Sequence, residues 1–275
     1  MVDNMILYPN AKINIGLNVL EKREDGFHNL ETLFYPILPE VGADGIPSHD
    51  TDVLEIVEAG ELSMNQYGIE YPGEPMDNLC VKAYNALRKD FDIPPVAIHL
   101  YKKLPVGAGL GGGSADAAFT LRGLNEMFSL GLSDERLAAY AATLGSDCAF
   151  FIYNRPMIGT GRGEILEPAE IFPLDGYEIR LVYPPYFVST AAAYGGIVPR
   201  NKRAQNGEKF DPTPLVEMLR KPVETWKECV VNDFETTVFA KIPELAPYKD
   251  ELYSQGAAYA SMSGSGSAFF GIFKK

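Results

Sequence analysis

The stretch Leu104-Pro-Val-Gly-Ala-Gly-Leu-Gly-Gly-Gly-Ser-Ala-Asp-Ala-Ala118 decides the reading of this chain. Gly107, Gly109, Gly111, Gly112 and Gly113 crowd into one loop, and Ser114 follows. Ala117, Leu121, Leu124 and Phe128 then recur at spacings of four, three and four, one face of a helix. Ser114 is expected as its N-cap, with Asp116 in the first turn. Glycine lets backbone N–H groups turn toward a ligand and lets the ligand come close. A helix N-terminus adds unpaired donors and a partial positive charge. The chemistry implied is anion binding, above all of phosphates.

Three familiar glycine loops can be tested against this stretch. Gly107, Gly109 and Gly112 fit G-x-G-x-x-G, but a dinucleotide fold needs a second strand soon after the helix, and here a second helix follows. A Walker loop needs Lys after its last glycine, and Gly113 stands at that position. A protein-kinase loop is followed by V-A-I-K and H-R-D; Val96-Ala-Ile-His99 precedes the loop and lacks the Lys, and no H-R-D occurs. A tight strand-to-helix turn remains as the bland alternative. Five glycines in seven positions cost more unfolded-state entropy than a turn requires.

With 275 residues, 46% of them hydrophobic, the chain can fill a core as one large domain or two intimate ones. Its net charge of -13 argues against nucleic acid as a partner, because phosphate backbones need a basic footprint. Cys80, Cys148 and Cys229 are far apart with no C-x-x-C, which speaks against a disulfide framework or structural zinc and fits a reducing cytoplasm. The N-terminus shows neither the basic region nor the apolar run of a signal peptide, and no apolar stretch is long enough to span a bilayer.

Strands are expected over 5–8, 13–20, 30–38, 52–58, 96–101 and 177–183. In the second, Ile13, Ile15, Leu17 and Val19 alternate with Asn14, Gly16 and Asn18. Helices are expected over 77–87, from Ser133 onward, over 214–219 and over 223–239. Residues 39–52 read as a loop, 61–75 as a polar, Gly/Pro-rich stretch and 199–214 as a polar, partly basic loop with Arg200, Lys202 and Arg203 solvated. On pattern alone Lys12 is a solvated strand residue. Lys102 and Lys103 form a basic pair ahead of the loop that either meets nucleotide or is solvated. Asp147, directly before the apolar run Cys148–Tyr153, is on pattern alone a helix N-cap.

The motif P-x-G-A-G-L-G-G-G-S-A-D-A-A resembles the phosphate loop of the GHMP small-molecule kinases, such as galactokinase, homoserine kinase and mevalonate kinase. The triple glycine is most similar to one branch, the 4-diphosphocytidyl-2-C-methyl-D-erythritol kinases. Other strings resemble that branch in the same order. They are Pro9-x-Ala-Lys-Ile-Asn14, Arg23-x-Asp-Gly-Phe-His28, Asp77-Asn-Leu79 and Gly145-Ser-Asp147. After these come Gly159-x-Gly-x-Gly-Glu164, Val188–Tyr194, Asn232-Asp-Phe-Glu235 and Ser263-Gly-Ser-Gly266. One departure is Ala149, where the branch usually has Pro.

The resemblance implies an α+β chain with the two-domain GHMP kinase fold. A ribosomal protein S5 domain 2-like N-terminal domain would cover 1–155 and bind ATP. A ferredoxin-like C-terminal domain would cover 156–275 and bind substrate, with the active site in the interdomain cleft. The implied reaction moves the ATP γ-phosphoryl group to the 2-hydroxyl of 4-diphosphocytidyl-2-C-methyl-D-erythritol. Lys12 and Asp147 would be catalytic. Pro105, Val106, Gly107, Ala108, Gly109, Leu110, Gly111, Gly112, Gly113, Ser114 and Ala115 would hold the phosphates, with Asn78 and Lys102 near the adenine. Ser114 would also reach Mg²⁺. Asn14, Phe27, His28 and Tyr194 would bind the acceptor, its cytosine lying between Phe27 and Tyr194 with His28 at its edge. The partner is then a small molecule, not nucleic acid or membrane, and the enzyme a monomer or weak homodimer. The alternatives are another GHMP kinase, of homoserine or mevalonate type, and a non-catalytic nucleotide-binding protein of the same fold.

Overall fold

The computed structural model describes residues 4–39, 47, 51–70, 73–209, 211 and 213–275. Its strands are β1 (Asn4–Leu7), β2 (Ala11–Lys22), β3 (His28–Ile37), β4 (Val53–Glu58), β5 (Ser63–Gly68), β6 (Val96–Lys102), β7 (Met157–Gly161), β8 (Ile165–Pro168), β9 (Tyr177–Val182), β10 (Tyr259–Met262) and β11 (Phe269–Lys274). Its α-helices are α1 (Leu79–Arg88), α2 (Gly112–Met127), α3 (Asp134–Ala142), α4 (Cys148–Tyr153), α5 (Thr190–Tyr194), α6 (Arg200–Gln205), α7 (Leu215–Leu219), α8 (Trp226–Cys229), α9 (Phe234–Lys241) and α10 (Ala246–Ser254). By its contacts the chain divides into two units. The first draws on Met1–Lys12, Pro36–Val106 and Gly111–Arg155, the second on Ile13–Tyr35, Gly107–Leu110 and Pro156–Lys275.

In the first unit one sheet runs β1-β4-β6-β5. Leu54 and Ile56 of β4 and Ile98 and Leu100 of β6 are fully buried, as are Leu121 and Leu124 of α2. Alternation thus gives each strand one apolar face, and α2 supplies the matching stripe. Gly123 lets α2 lie close to Leu7 and Ile56 of this sheet. The polar, Gly/Pro-rich stretch after β4, where no strand was expected, contains β5, paired parallel to β6 from Ser63↔Ala97 to Gly68↔Lys102. Its polar sequence hid it: an edge strand needs only one inward side chain, here the buried Met64.

In the second unit β2-β3-β7-β8 and β10-β11-β9 form two sheets. Leu17, Val19, Leu30, Phe234, Val238, Leu252 and Phe269 share one core cluster. Residues 13–35 fall here although they lie inside the expected N-terminal domain, because β3 pairs antiparallel with β7. β2 is buried on both faces from Ala11 to Val19. Its polar positions are satisfied: Asn14 Nδ2 donates to Thr32 Oγ1 at 3.0 Å and Asn18 Nδ2 to Glu31 Oε2 at 2.9 Å.

The helix expected over 223–239 is broken into a short 3-10 turn, α8 and α9. Leu17 N donates to Val231 O and Asp233 N to Leu17 O, both at 2.8 Å, so the intervening backbone pairs with β2 and cannot coil. The loop expected over 199–214 contains α6, and its two arginines are half-buried in ion pairs. Arg200 Nε and Arg203 Nη2 each lie 2.9 Å from the buried carboxylate of Asp233. That carboxylate also accepts from Val19 N at 2.7 Å.

Candidate active site

The glycine loop enters α2 three residues earlier than a Ser114 cap would require. Gly111, with φ +73°, is the N-cap, and no side chain caps the helix. Ala115 N donates to Gly111 O at 2.9 Å, so the amides of Gly112, Gly113 and Ser114 precede the first bond of the α-helical ladder. An uncapped helix end of this kind presents donors and a partial positive charge to an anion. A side chain at Gly111 would be strained by its φ. Its Cβ would also lie 2.9 Å from the Phe151 ring and 3.1 Å from Lys12 Cε.

The Lys12 stem therefore lies against the loop where α2 begins. Its ammonium is 3.3 Å from Asp147 Oδ2; the Lys12 side chain is 4% exposed and that of Asp147 31%. Asp147 occupies the N-cap position of α4, yet its side chain makes no capping bond. The carboxylate faces the ammonium instead of the helix end. Ala149, the second residue of α4, sits in the first turn, where Pro is tolerated anyway, so its replacement of the usual Pro disturbs little. The Ser114 hydroxyl lies beside the Cys148 thiol, which burial pushes up to about 11.

The two residues expected near the adenine both bond within the protein. Asn78 caps α1, its Oδ1 accepting from Cys80 N at 2.8 Å. Lys102 is 2% exposed, and its ammonium donates to Asp52 Oδ2 and, at 2.8 Å, to Asp116 Oδ2. Burial pushes the Asp116 carboxyl up to about 7, against the pull of the Lys102 ammonium.

In the second unit, the middle of the loop is pinned by its carbonyls. Ser263 Oγ donates to Gly109 O at 2.9 Å, and Ala268 N to Ala108 O at 3.1 Å. Ser263 Oγ in turn accepts from Asn14 N at 3.3 Å. Asn232 Nδ2 donates to both Met262 O and Gly264 O at 2.8 Å, fixing the turn that carries Ser263. A Cβ at Gly109 would meet Ser263 O at 2.0 Å, so only glycine fits.

The aromatic residues expected at the cytosine lie in this unit, and two of them touch each other. His28 stacks on Tyr194, centroids 4.9 Å apart and planes 20° apart, and Tyr194 meets Phe234 edge to face. Burial, with a smaller contribution from Lys22, holds the His28 imidazole below its ordinary value. A neutral imidazole offers one donor and one acceptor. Phe27 is 54% exposed, with the Arg162 guanidinium 4.9 Å above its ring.

Sequence reasoning missed Phe151, Arg162, Asp52 and the Lys102 role of Asp116. Phe151 read as core and Asp116 as a helix-dipole residue. Only the pairing of distant segments brings Asp52 to Lys102. Among the described residues there is no cluster of three or more His, Cys, Asp or Glu that could hold a metal ion. No helix among them is long and apolar enough to cross a membrane.

Comparison with known proteins agrees with this geometry. The GHMP kinases N terminal domain matches residues 78–155, and the GHMP kinases C terminal domain matches residues 215–275. A 4-diphosphocytidyl-2-C-methyl-D-erythritol kinase of Bacteroides fragilis is 50% identical over 98% of this chain and 92% of its own length. A crystal structure of 4-(cytidine 5'-diphospho)-2C-methyl-D-erythritol kinase superposes with a TM-score of 0.76 at 31% identity, over 98% of this chain and 90% of that one. A homoserine kinase from Cytophaga hutchinsonii has a TM-score of 0.69 at 18% identity, covering 100% of this chain and 86% of its own, a likeness of fold alone. The chain belongs to the GHMP kinase family of small-molecule kinases, and its mixed α/β architecture is theirs. Within that family it falls among the 4-diphosphocytidyl-2-C-methyl-D-erythritol kinases.

Proposed function

We propose that the chain transfers the γ-phosphoryl group of ATP to the 2-hydroxyl of 4-diphosphocytidyl-2-C-methyl-D-erythritol, giving the 2-phosphate and ADP on the non-mevalonate route to isoprenoid precursors. The observation that carries the catalytic assignment is the Lys12–Asp147 pair, 3.3 Å apart, beside the uncapped start of α2. Phosphoryl transfer demands positioning and charge stabilisation more than covalent chemistry. Asp147 accepts the proton of the acceptor hydroxyl as its oxygen attacks the γ-phosphorus, and the bridging oxygen leaves on ADP. Lys12 offsets the charge of the transferred group. The amides opening α2 hold the phosphates. Phe27, His28 and Tyr194 receive the cytosine, and neutral His28 reads its polar edge.

Mg²⁺ would supply charge neutralisation of the phosphates and takes six oxygen ligands. With no acidic cluster among the described residues, phosphate and water oxygens would provide most of them, and the Ser114 hydroxyl at most one. Cys80, Cys148 and Cys229 are all unpaired thiols, which suits a reducing cytoplasm.

The test is a label-transfer assay with ATP, Mg²⁺ and, separately, diphosphocytidyl-methylerythritol, homoserine, mevalonate and galactose. Label is expected on the first alone. Transfer to any of the others at a comparable kcat/KM would overturn the substrate assignment.

A further inference from the structure

Lys102, Asp52 and Asp116 lie in the first unit, and every one of these side chains is more than nine-tenths buried. Their bonds reach three separate segments. Asp52 Oδ1 accepts from the amides of Lys103 at 2.6 Å and Leu104 at 2.9 Å, the residues that lead into the glycine loop. Asp52 N donates to Pro9 O at 2.9 Å, three residues before Lys12. Lys102, bonded to Asp52, reaches Asp116 in the second turn of α2, where the loop ends. Its Nζ lies 3.3 Å from where a Cβ would stand on Gly112, so the ammonium sits under the first turn of that helix. Asp116 Oδ1 has no hydrogen-bond partner among the described residues, so the carboxylate is held by Lys102 alone.

We propose that Asp52, Lys102 and Asp116 form a buried clamp that fixes the entrance and exit of the glycine loop, and the segment carrying Lys12, in one spacing. They are positioning residues for the phosphates of ATP and touch no part of the nucleotide. A buried charge with one partner removed is costly, so the three groups hold one arrangement rather than several. An ordered loop keeps the amides of Gly112, Gly113 and Ser114 aimed before the anion arrives, which is where preorganised donors gain their effect. The clamp rests on the kinase reading only as far as ATP binding; it is indifferent to the acceptor.

The test compares Asp52→Ala and Asp52→Asn in the full chain, by calorimetry with ATP, ADP and adenosine. The alanine variant loses both loop-entrance bonds. ATP and ADP should bind at least about tenfold more weakly, the effect of losing one or two charge-assisted hydrogen bonds. Adenosine, which has no phosphate, should bind as before. The Asn variant keeps an acceptor oxygen for the two amides but turns an NH2 group toward the Lys102 ammonium, so its ATP affinity should fall between those of wild type and the alanine variant. Unchanged ATP affinity in a folded Asp52→Ala overturns the clamp, as does parallel loss of adenosine, which would place the cluster at the base. Should Asp52→Ala fail to fold, hydrogen exchange on the unmodified protein decides. The Lys103 and Leu104 amides should then exchange as slowly as those of the middle of α2, and exchange at exposed-loop rates contradicts the clamp. If wild type binds neither ATP nor ADP, the kinase reading itself fails, and the clamp with it.

Discussion

Two lysine–carboxylate clusters stand on either side of the same loop, and they differ in what water can reach. At Lys102 all three charged side chains are sealed, and Asp52 has both oxygens engaged. At Lys12 the ammonium is buried but its carboxylate, Asp147, is nearly one-third exposed and declines the helix cap beside it. Residue type does not separate the two clusters, since each is a lysine facing aspartate. Exposure does: a carboxylate sealed from water against a lysine holds structure, whereas one with a face left open can take a proton. The family resemblance implied that both lysines serve the nucleotide, and the structure buries the Lys102 ammonium between two carboxylates.

The contrast can be broken most severely at Gly111, where the open pair meets the loop. Gly111→Val forces a branched side chain into φ +73° and onto Phe151 and Lys12. ATP should give no detectable binding heat, while circular dichroism reports a folded chain. A folded variant with wild-type ATP affinity would move the phosphates elsewhere. Next in size is Asp147→Asn, which keeps the shape and cannot accept a proton. Its kcat should fall about 10²–10⁴-fold with both KM values little changed. Near-normal kcat would reduce Asp147 to a helix-end residue.

Stability sharpens the same comparison. Lys102→Met strands two sealed carboxylates and should cost about 3–5 kcal/mol in denaturant unfolding. Lys12→Met leaves only the partly exposed Asp147 behind and should cost no more than about 1 kcal/mol. Equal losses would erase the distinction between the clusters. The smallest effect belongs to Phe27, under the Arg162 guanidinium. Phe27→Ala should raise the KM for the cytidine substrate about tenfold, as loss of one stacking face of about 1–3 kcal/mol implies, and leave the KM for ATP unmoved. If ATP weakens and the cytidine substrate does not, the two nucleotide subsites have been exchanged.

Much of this was legible in order along the chain. The glycine crowding, the Ser133 cap and the alternation of β6 all follow from local rules, and the structure retains them, whereas β2 is buried on both faces. What was not legible depends on partners distant in sequence. β5 is a strand because β6 offers it an edge, not because of its own composition. The helix expected over 223–239 yields to Leu17, which draws 231–233 into strand-like pairing. Arg200 and Arg203 turn partly inward to Asp233, and Lys102 leaves solvent for Asp52, some 50 residues away. The helix cap moved from Ser114 to Gly111 because a positive φ, not a side-chain oxygen, ends the loop.

The most direct measurement is ³¹P NMR of wild-type protein with ATP, Mg²⁺ and 4-diphosphocytidyl-2-C-methyl-D-erythritol, followed in time beside Asp147→Asn. In the wild-type sample a phosphomonoester resonance should grow as the γ signal of ATP declines, with the cytidine diphosphate signals retained, and in the variant the same resonance should grow at least about 100-fold more slowly. ATP consumed without a new ester, or an ester formed equally fast by the variant, would contradict the assignment of transfer to the open pair.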